Sequence, residues 1–329
     1  PRRTSAYPLC MSNGPQRIGL DVGGSGARAA RVEQGEDGLR LVGELRELEW
    51  DDGFTPLPIR EQLRYPGEIP AMEEVAAGAR LARLAELVTS CAGEGPFSCF
   101  VSAPGLRTED GFGVVAWRNG PRRSTFIGDL ELALRAAHGG EVHALDAICP
   151  DSVACAMGEL HAEGGSLRGV ANGLCIAGGS GVGEALIVEG RCWALDEIEP
   201  PLPRAWELRA AEEASIEDHV APSRTLRAWH AAGEEGCPEG RSDEEALALM
   251  DARDRGVGQL VERAHSWFRA RGLELERVVI SQTLGRLYSL DEARLACVAA
   301  GLDGVELVAS SLRVAPLAGA VAKGTIETT

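Results

Sequence analysis

Ile18-Gly19-Leu20-Asp21-Val22-Gly23-Gly24-Ser25-Gly26 runs an apolar strand into a glycine-rich turn, and the element after the turn decides the architecture. Ala27 to Glu33 reads as a strand, Gly35-Glu36-Asp37-Gly38 as a second turn, and Leu39 to Trp50 as another extended segment. The first glycine cluster therefore opens a β-hairpin. Gly24-Ser25-Gly26-x-x-Ala29 superficially fits a dinucleotide fingerprint, but that motif opens a helix, and here a strand comes next.

Downstream, Asp51 to Pro70 is rich in Pro, Gly and charge and reads as a loop. Met72 to Cys91 places Leu81, Leu84, Leu87 and Val88 at helical spacing. A strand is expected over Phe97 to Ala103, a helix over Phe126 to His138, a strand over Glu141 to Ile148 and a helix over Asp151 to Glu163. Val170 to Ala177 is a further strand, ending at a second glycine cluster, Gly178 to Gly183, with strand and turn again over Glu184 to Cys192. Pro200 to Pro203 is a stiff connector. Three helices are expected at 205–220, 243–252 and 254–270, then a strand at Arg277 to Ser281, one more helix–strand unit, and a last apolar segment, Ala315 to Lys323. Strand, glycine turn and hairpin thus occur twice, which predicts an internally duplicated α/β fold with a cleft between two lobes.

Composition limits the function classes. The chain has 329 residues, 33 basic against 50 acidic, with a formal charge of −17. That surplus repels phosphate backbones and anionic lipid, so neither nucleic acid nor membrane is an expected partner, and no apolar run is long enough to span a bilayer. Pro1 to Pro15 reads as a flexible leader without the apolar core of a secretory signal. The nine cysteines (10, 91, 99, 149, 155, 175, 192, 237 and 297) form no Cys-x-x-Cys pair, which argues against a zinc ribbon or disulfide scaffold and for a reducing cytoplasm. The six histidines show no metal-ligand spacing.

Three features at predicted strand ends bear chemistry: Asp21 with Gly23, Gly24 and Ser25; Asp151; and Gly179, Ser180, Gly181 and Gly183. Glycine turns present backbone N–H groups that cradle phosphate oxygens. A neighbouring carboxylate can hold hydrated Mg²⁺ on those phosphates, and a second carboxylate can take a proton from an attacking hydroxyl. Each has a plainer reading beside it. A glycine turn can be only a turn, and Asp151 after Pro150 can be only a helix cap.

Taken in order, these segments resemble the ROK family of sugar kinases, within the actin–hexokinase–Hsp70 ATPase superfamily. Ile18 to Ser25 is similar to its I-G-x-D-x-G-G-T, Val101-Ser-Ala-Pro104-Gly105 to its V-P-G strand end, and Asp151 to Glu159 to its N-D-A-N-A-A-A-L-G-E. Gly179 to Gly183 resembles G-T-G-I-G, and Ala315 to Ala320 the closing A-G-x-x-G-A. The resemblance runs collinearly over about residues 16–324. It implies a duplicated ribonuclease-H-like, actin-like ATPase fold of two lobes, 14–158 plus 313–329 and 159–312. It also implies phosphorylation of a sugar hydroxyl by Mg·ATP in the intervening cleft, with Asp151 as general base and Mg²⁺ through Asp21. Asn119, Glu197 and Glu217 take the places of sugar-contacting residues, Gly285 lies on the nucleoside side, and a homodimer is a common family state.

The chain also departs from the family. Pro150 and Val153 replace asparagines around Asp151. Pro200 stands where the zinc-binding histidine would be and the cysteine-rich motif behind it is missing, so no structural zinc is expected. A G-G-G turn is replaced by Ser281-Gln282-Thr283, whose side chains would crowd a nucleoside. Three readings stay open: a kinase with an unusual acceptor or donor, a non-catalytic ligand-binding or regulatory protein, and a different ATPase of the superfamily.

Overall fold

A computed structural model of the chain describes residues 15–65, 67–210, 214–300, 302 and 304–326; the expected leader lies outside them but for Pro15. Three strands joined by tight turns open the fold: β1 (Gln16–Val22), β2 (Gly26–Gly35) and β3 (Gly38–Glu49). Both pairings are antiparallel, and the first sets Asp21 opposite Arg28. Helices α1 (Ile59–Arg64) and α2 (Ala71–Cys91) lead to β4 (Phe97–Ala103), which returns parallel to β1. A small hairpin of β5 (Leu106–Arg107) and β6 (Val114–Ala116), then α3 (Phe126–Ala137), precede β7 (Cys149–Pro150) at the far edge. The sheet order is β3-β2-β1-β4-β7.

After α4 (Asp151–His161) the pattern restarts. Strands β8 (Gly173–Gly178), β9 (Val182–Val188) and β10 (Arg191–Ala194) form a second antiparallel set. Helices α5 (Ile216–Val220), α6 (Pro222–Ala231) and α7 (Glu244–Arg269) lead to β11 (Arg277–Ser281), parallel to β8. Then come α8 (Gln282–Ser289), α9 (Glu292–Ala299), β12 (Glu306–Ala309) and the closing α10 (Ala315–Ile326). The second sheet has the order β10-β9-β8-β11-β12, with the same run of two antiparallel and two parallel pairings as the first. The fold is a duplicated α/β architecture of two lobes.

Each lobe buries its own core, and a third cluster joins them. It draws Val32 and Phe100 from the first sheet, Cys175, Ala185 and Val279 from the second, and Val153, Ala154, Met157, Ala318 and Val321 from α4 and α10 between them. These two helices cross at glycines. A Cβ on Gly158 would run into the Ala315 carbonyl, and one on Gly319 into the Ala154 carbonyl. Hence the Gly-Glu of the fourth helix and the Ala-Gly of the last element are contact positions: only hydrogen lets the backbones approach this closely.

The structure corrects several expectations. Glu141 to Ile148 is not a strand: apart from a bridge between Phe97 and Val142 it is irregular, and Leu145 N–H is tied to the Glu131 carboxylate instead of a ladder. Of the helix expected at 205–220, whose residues 211–213 lie outside the described ones, the described part is helical only in α5, where Ser215 and Asp218 build a reciprocal capping box that starts it. The two helices expected at 243–252 and 254–270 are one, α7. Its N-cap is Asp243, and buried Arg253 passes through the packed face because Glu239 pairs with it at 2.8 Å. Inside the expected loop 51–70 stands α1, and α6 begins with Pro222 at its first position, where a missing N–H is harmless.

Candidate active site

Between the lobes lies a cleft of about 900 Å³ whose walls include both glycine turns. In the first, Gly23 N–H donates to the Gly26 carbonyl at 2.7 Å. Trp50 pins this turn from outside: its indole N–H donates to the Gly23 carbonyl at 2.9 Å and its backbone N–H to the Ser25 carbonyl at 3.1 Å. Arg80 stacks over Trp50 at 4.6 Å while forked onto Asp52. A Cβ on Gly24 would stand 2.5 Å from Asn119 Cβ, so the glycine lets the turn press onto the Asn119 loop.

The second turn repeats the device, with Gly179 N–H donating to the Gly181 carbonyl at 2.9 Å. Ser223 fixes it, its hydroxyl donating to the Ser180 carbonyl at 2.9 Å. A Cβ on Gly183 would stand 2.9 Å from Ser152 Cβ and 3.7 Å from Asp151 Oδ1. Asp151 thus lies directly against the second glycine turn.

Asp151 is the first residue of α4, and its cap position, Pro150, offers no side-chain bond. Asp151 is not itself at the cap position: among the described hydrogen bonds its carboxylate accepts one first-turn N–H, that of Ser152 at 2.8 Å, and it lines the cleft. Burial pushes its pKa up to about 6, the charges of Asp21 and Glu217 push the same way, and Ser152 and Arg107 oppose them. A carboxylate so tuned is ionised at neutral pH yet basic enough to accept a proton.

Asp21, at the end of β1, is held by Arg28 Nη2 at 2.6 Å. The described hydrogen bonds engage only its Oδ2. Among the described residues no group of three or more His, Cys, Asp or Glu side chains gathers to hold a metal. Mg²⁺ does not require one, since one or two carboxylates plus substrate phosphates and water complete its shell, and Asp21 beside the first turn fits that use.

Gly23, Gly24, Ser25, Gly179, Ser180, Gly181, Gly183, Asn119, Asp21, Asp151 and Glu217 all line the one cleft. Two expected residues do not. Glu197 is exposed outside the cleft and closes its own turn by accepting from Ala194 N–H at 3.0 Å. Gly285 is buried in α8, where a Cβ would run into the Ser310 and Ile280 carbonyls; its smallness serves packing. Glu217 reaches the cleft but is bound by Arg118 at 2.7 Å, linking α5 to the loop after β6. Of the three side chains expected to crowd a nucleoside, Ser281 is buried and donates to Glu159 at 2.9 Å, and only Gln282 and Thr283 face the cleft.

Other cleft-shaping groups had no motif to announce them. Buried Gln62 of α1 accepts from Trp117 N–H at 2.7 Å and donates to its carbonyl at 2.9 Å. Buried Arg122 forks onto Glu73 at 2.9 and 3.0 Å. Together they clamp both sides of Arg118 and Asn119. The run Trp117-Arg118-Asn119-Gly120-Pro121-Arg122-Arg123 was the available signal, because clustered arginines beside an apolar strand need partners.

No family model matches the chain, and no curated protein does. Solved structures do. A ROK family glucokinase from Streptomyces griseus, in complex with glucose and AMPPNP, matches 93% of this chain and 98% of its own at a TM-score of 0.62 and 15% identity. The inorganic polyphosphate/ATP-glucomannokinase of Arthrobacter sp. strain KM matches 95% and 100% at 0.59 and 18%. A ROK family transcriptional regulator, a homolog of the E. coli MLC protein, matches 94% and 78% at 0.57 and 15%. At these identities the likeness speaks for architecture: the chain has the two-lobed, duplicated α/β fold of the ROK sugar kinases it matches.

Proposed function

We propose that this protein transfers a phosphoryl group from ATP to a hydroxyl of a sugar or sugar-like acceptor, with Asp151 as general base. The observation that carries the reading is the convergence of two glycine turns, Asp21 and Asp151 on one cleft. The acceptor O–H gives its proton to Asp151. Its oxygen forms a bond to the terminal phosphorus as the bond to the bridging oxygen breaks, and ADP leaves. With the Gly23 and Gly179 N–H groups closing the turns, the backbone N–H groups of Gly24–Ser25 and Ser180–Gly181 are the ones offered to the phosphate oxygens to stabilise their charge. Asp21 would hold Mg²⁺, which when bound would add to the neutralisation of the phosphates. Asn119 and Glu217 are the acceptor-side polar groups, and Arg118 sets the position of Glu217. In this reading the lobes are 14–158 plus 313–329 and 159–312.

ADP release from Mg·ATP over a panel of hexoses, hexosamines and N-acetylhexosamines tests it, with Asp151→Asn as control. Sugar-dependent release that drops by about 10³-fold in the variant is the expected result. A second reading, a ligand-binding or regulatory protein on the same fold, is favoured by the regulator among the matching structures and by Pro150 beside the base. Sugar binding without ADP release, and without ATP binding, selects it over the first.

A further inference from the structure

Arg28 is gripped from both lobes. On its own side it faces Asp21 across the β1–β2 pair and donates to Oδ2 at 2.6 Å. On the same side the Arg313 carbonyl accepts from Nη1 at 3.0 Å, and from the other lobe Gln282 at the start of α8 presents Oε1 to the same Nη2 at 3.1 Å. About a fifth of the side chain, 21%, remains exposed, in a cleft whose walls are the two glycine turns.

Gln282 bears two unfavourable features to make this contact. Its φ is +63°, the left-handed region that suits glycine rather than glutamine. A guanidinium only donates, so Oε1 must point at Arg28 and Nε2 the other way, and there Nε2 is buried with no acceptor among the described residues. Asp21 alone would neutralise Arg28. A second grip, through a strained residue with an orphaned amide, is needed only to aim the guanidinium. Among the described hydrogen bonds its Nε–H and one Nη1 hydrogen stay unused, each able to donate singly to a phosphate oxygen.

We propose that Arg28 is the protein's own cation in the phosphate site, donating to oxyanions of the phosphoryl donor between the two glycine turns, with Gln282 as its positioning residue. The proposal rests on the phosphoryl-transfer reading and adds a property to it: binding of a polyphosphate chain that does not depend on a metal ion.

The test is calorimetric titration of the full chain with inorganic tripolyphosphate in EDTA, and with Mg·ATP in parallel. Wild type binds tripolyphosphate in EDTA; Arg28→Gln weakens this by about tenfold or more, and Arg28→Lys by less. Gln282→Gly, which suits the backbone and removes the grip, weakens anion binding several-fold, roughly three- to tenfold, while its melting temperature holds or rises. A merely structural contact would give a lower melting temperature and unchanged anion affinity. Unchanged affinity in folded Arg28→Gln overturns the proposal; if that variant does not fold, unchanged affinity in Gln282→Gly does so. Wild type that binds Mg·ATP but no tripolyphosphate in EDTA overturns it while leaving phosphoryl transfer standing. Wild type that binds neither overturns both.

Discussion

Asp151 carries the sharpest residue-scale expectation. Its pKa is raised to about 6, first by burial and then by Asp21 and Glu217. As a base it must be ionised, so kcat/KM should fall about tenfold per pH unit below about 6, and a profile flat to pH 5 would exclude it from proton transfer. The same shift has a stability consequence of known sign. The folded state favours the neutral acid, so the stabilising contribution is complete below the unfolded value near 4 and is lost as pH rises through 6. Asp151→Asn should therefore be more stable than wild type at pH 8, by roughly 2 kcal/mol, with the advantage gone below pH 4; melting curves at the two pH values decide this. The cleft position of the turn glycines, Asp21 and Asp151 was legible because strand-end carboxylates and glycine turns have local signatures, whereas that of Gly285 was not. The Arg28–Gln282 contact was not, since its partners are 254 positions apart.

At the scale of elements, the contact between α4 and α10 and the fork of Arg122 on Glu73 are the places where a single change does most. Gly319 meets the Ala154 carbonyl with no room for a methyl, so Gly319→Ala must push the helices apart. A loss of about 2–4 kcal/mol is expected in urea unfolding, against near neutrality for Gly258→Ala, where the surrounding space is open. Glu73→Ala strands a buried guanidinium and should cost about 3–5 kcal/mol. Because Arg122 follows the Asn119 loop closely, the change should also weaken binding of the proposed sugar acceptor; a variant as stable as wild type would show the pair to be dispensable. Element types are legible where periodicity is long, as in α2. They are not at 141–148 and 205–220, where a side-chain tie to Glu131 and the capping box at Ser215 outweigh local propensity.

Across the whole molecule, charged contacts hold the cleft together: Arg118 with Glu217 at 2.7 Å, and Arg28 with Gln282 at 3.1 Å. Arg118 is partly exposed and Glu217 buried, so this bridge is worth about 1 kcal/mol. Glu217→Gln should raise amide exchange at Gly179–Gly183 by about fivefold in the absence of ligand, with little effect on global unfolding. An unchanged exchange pattern would show that the bridge does not hold the lobes closed. Duplication is what makes such contacts possible, because each sheet brings a glycine turn to the same cleft from its own side.

The two hairpins, the two glycine turns, the strand-end carboxylates and the repeated order of elements can be read along the chain, since all of these arise from interactions between residues close in sequence. Tertiary structure alone decided which polar groups meet. It took Glu197 and Gly285 out of the cleft, tied Glu217 to Arg118, made Gly158 and Gly319 contact points, and fixed Arg28 between Asp21 and Gln282. The physical reason is range. Turn and helix preferences act over a few residues, whereas charge pairing and backbone approach depend on distances set only when the two sheets pack on the helices between them.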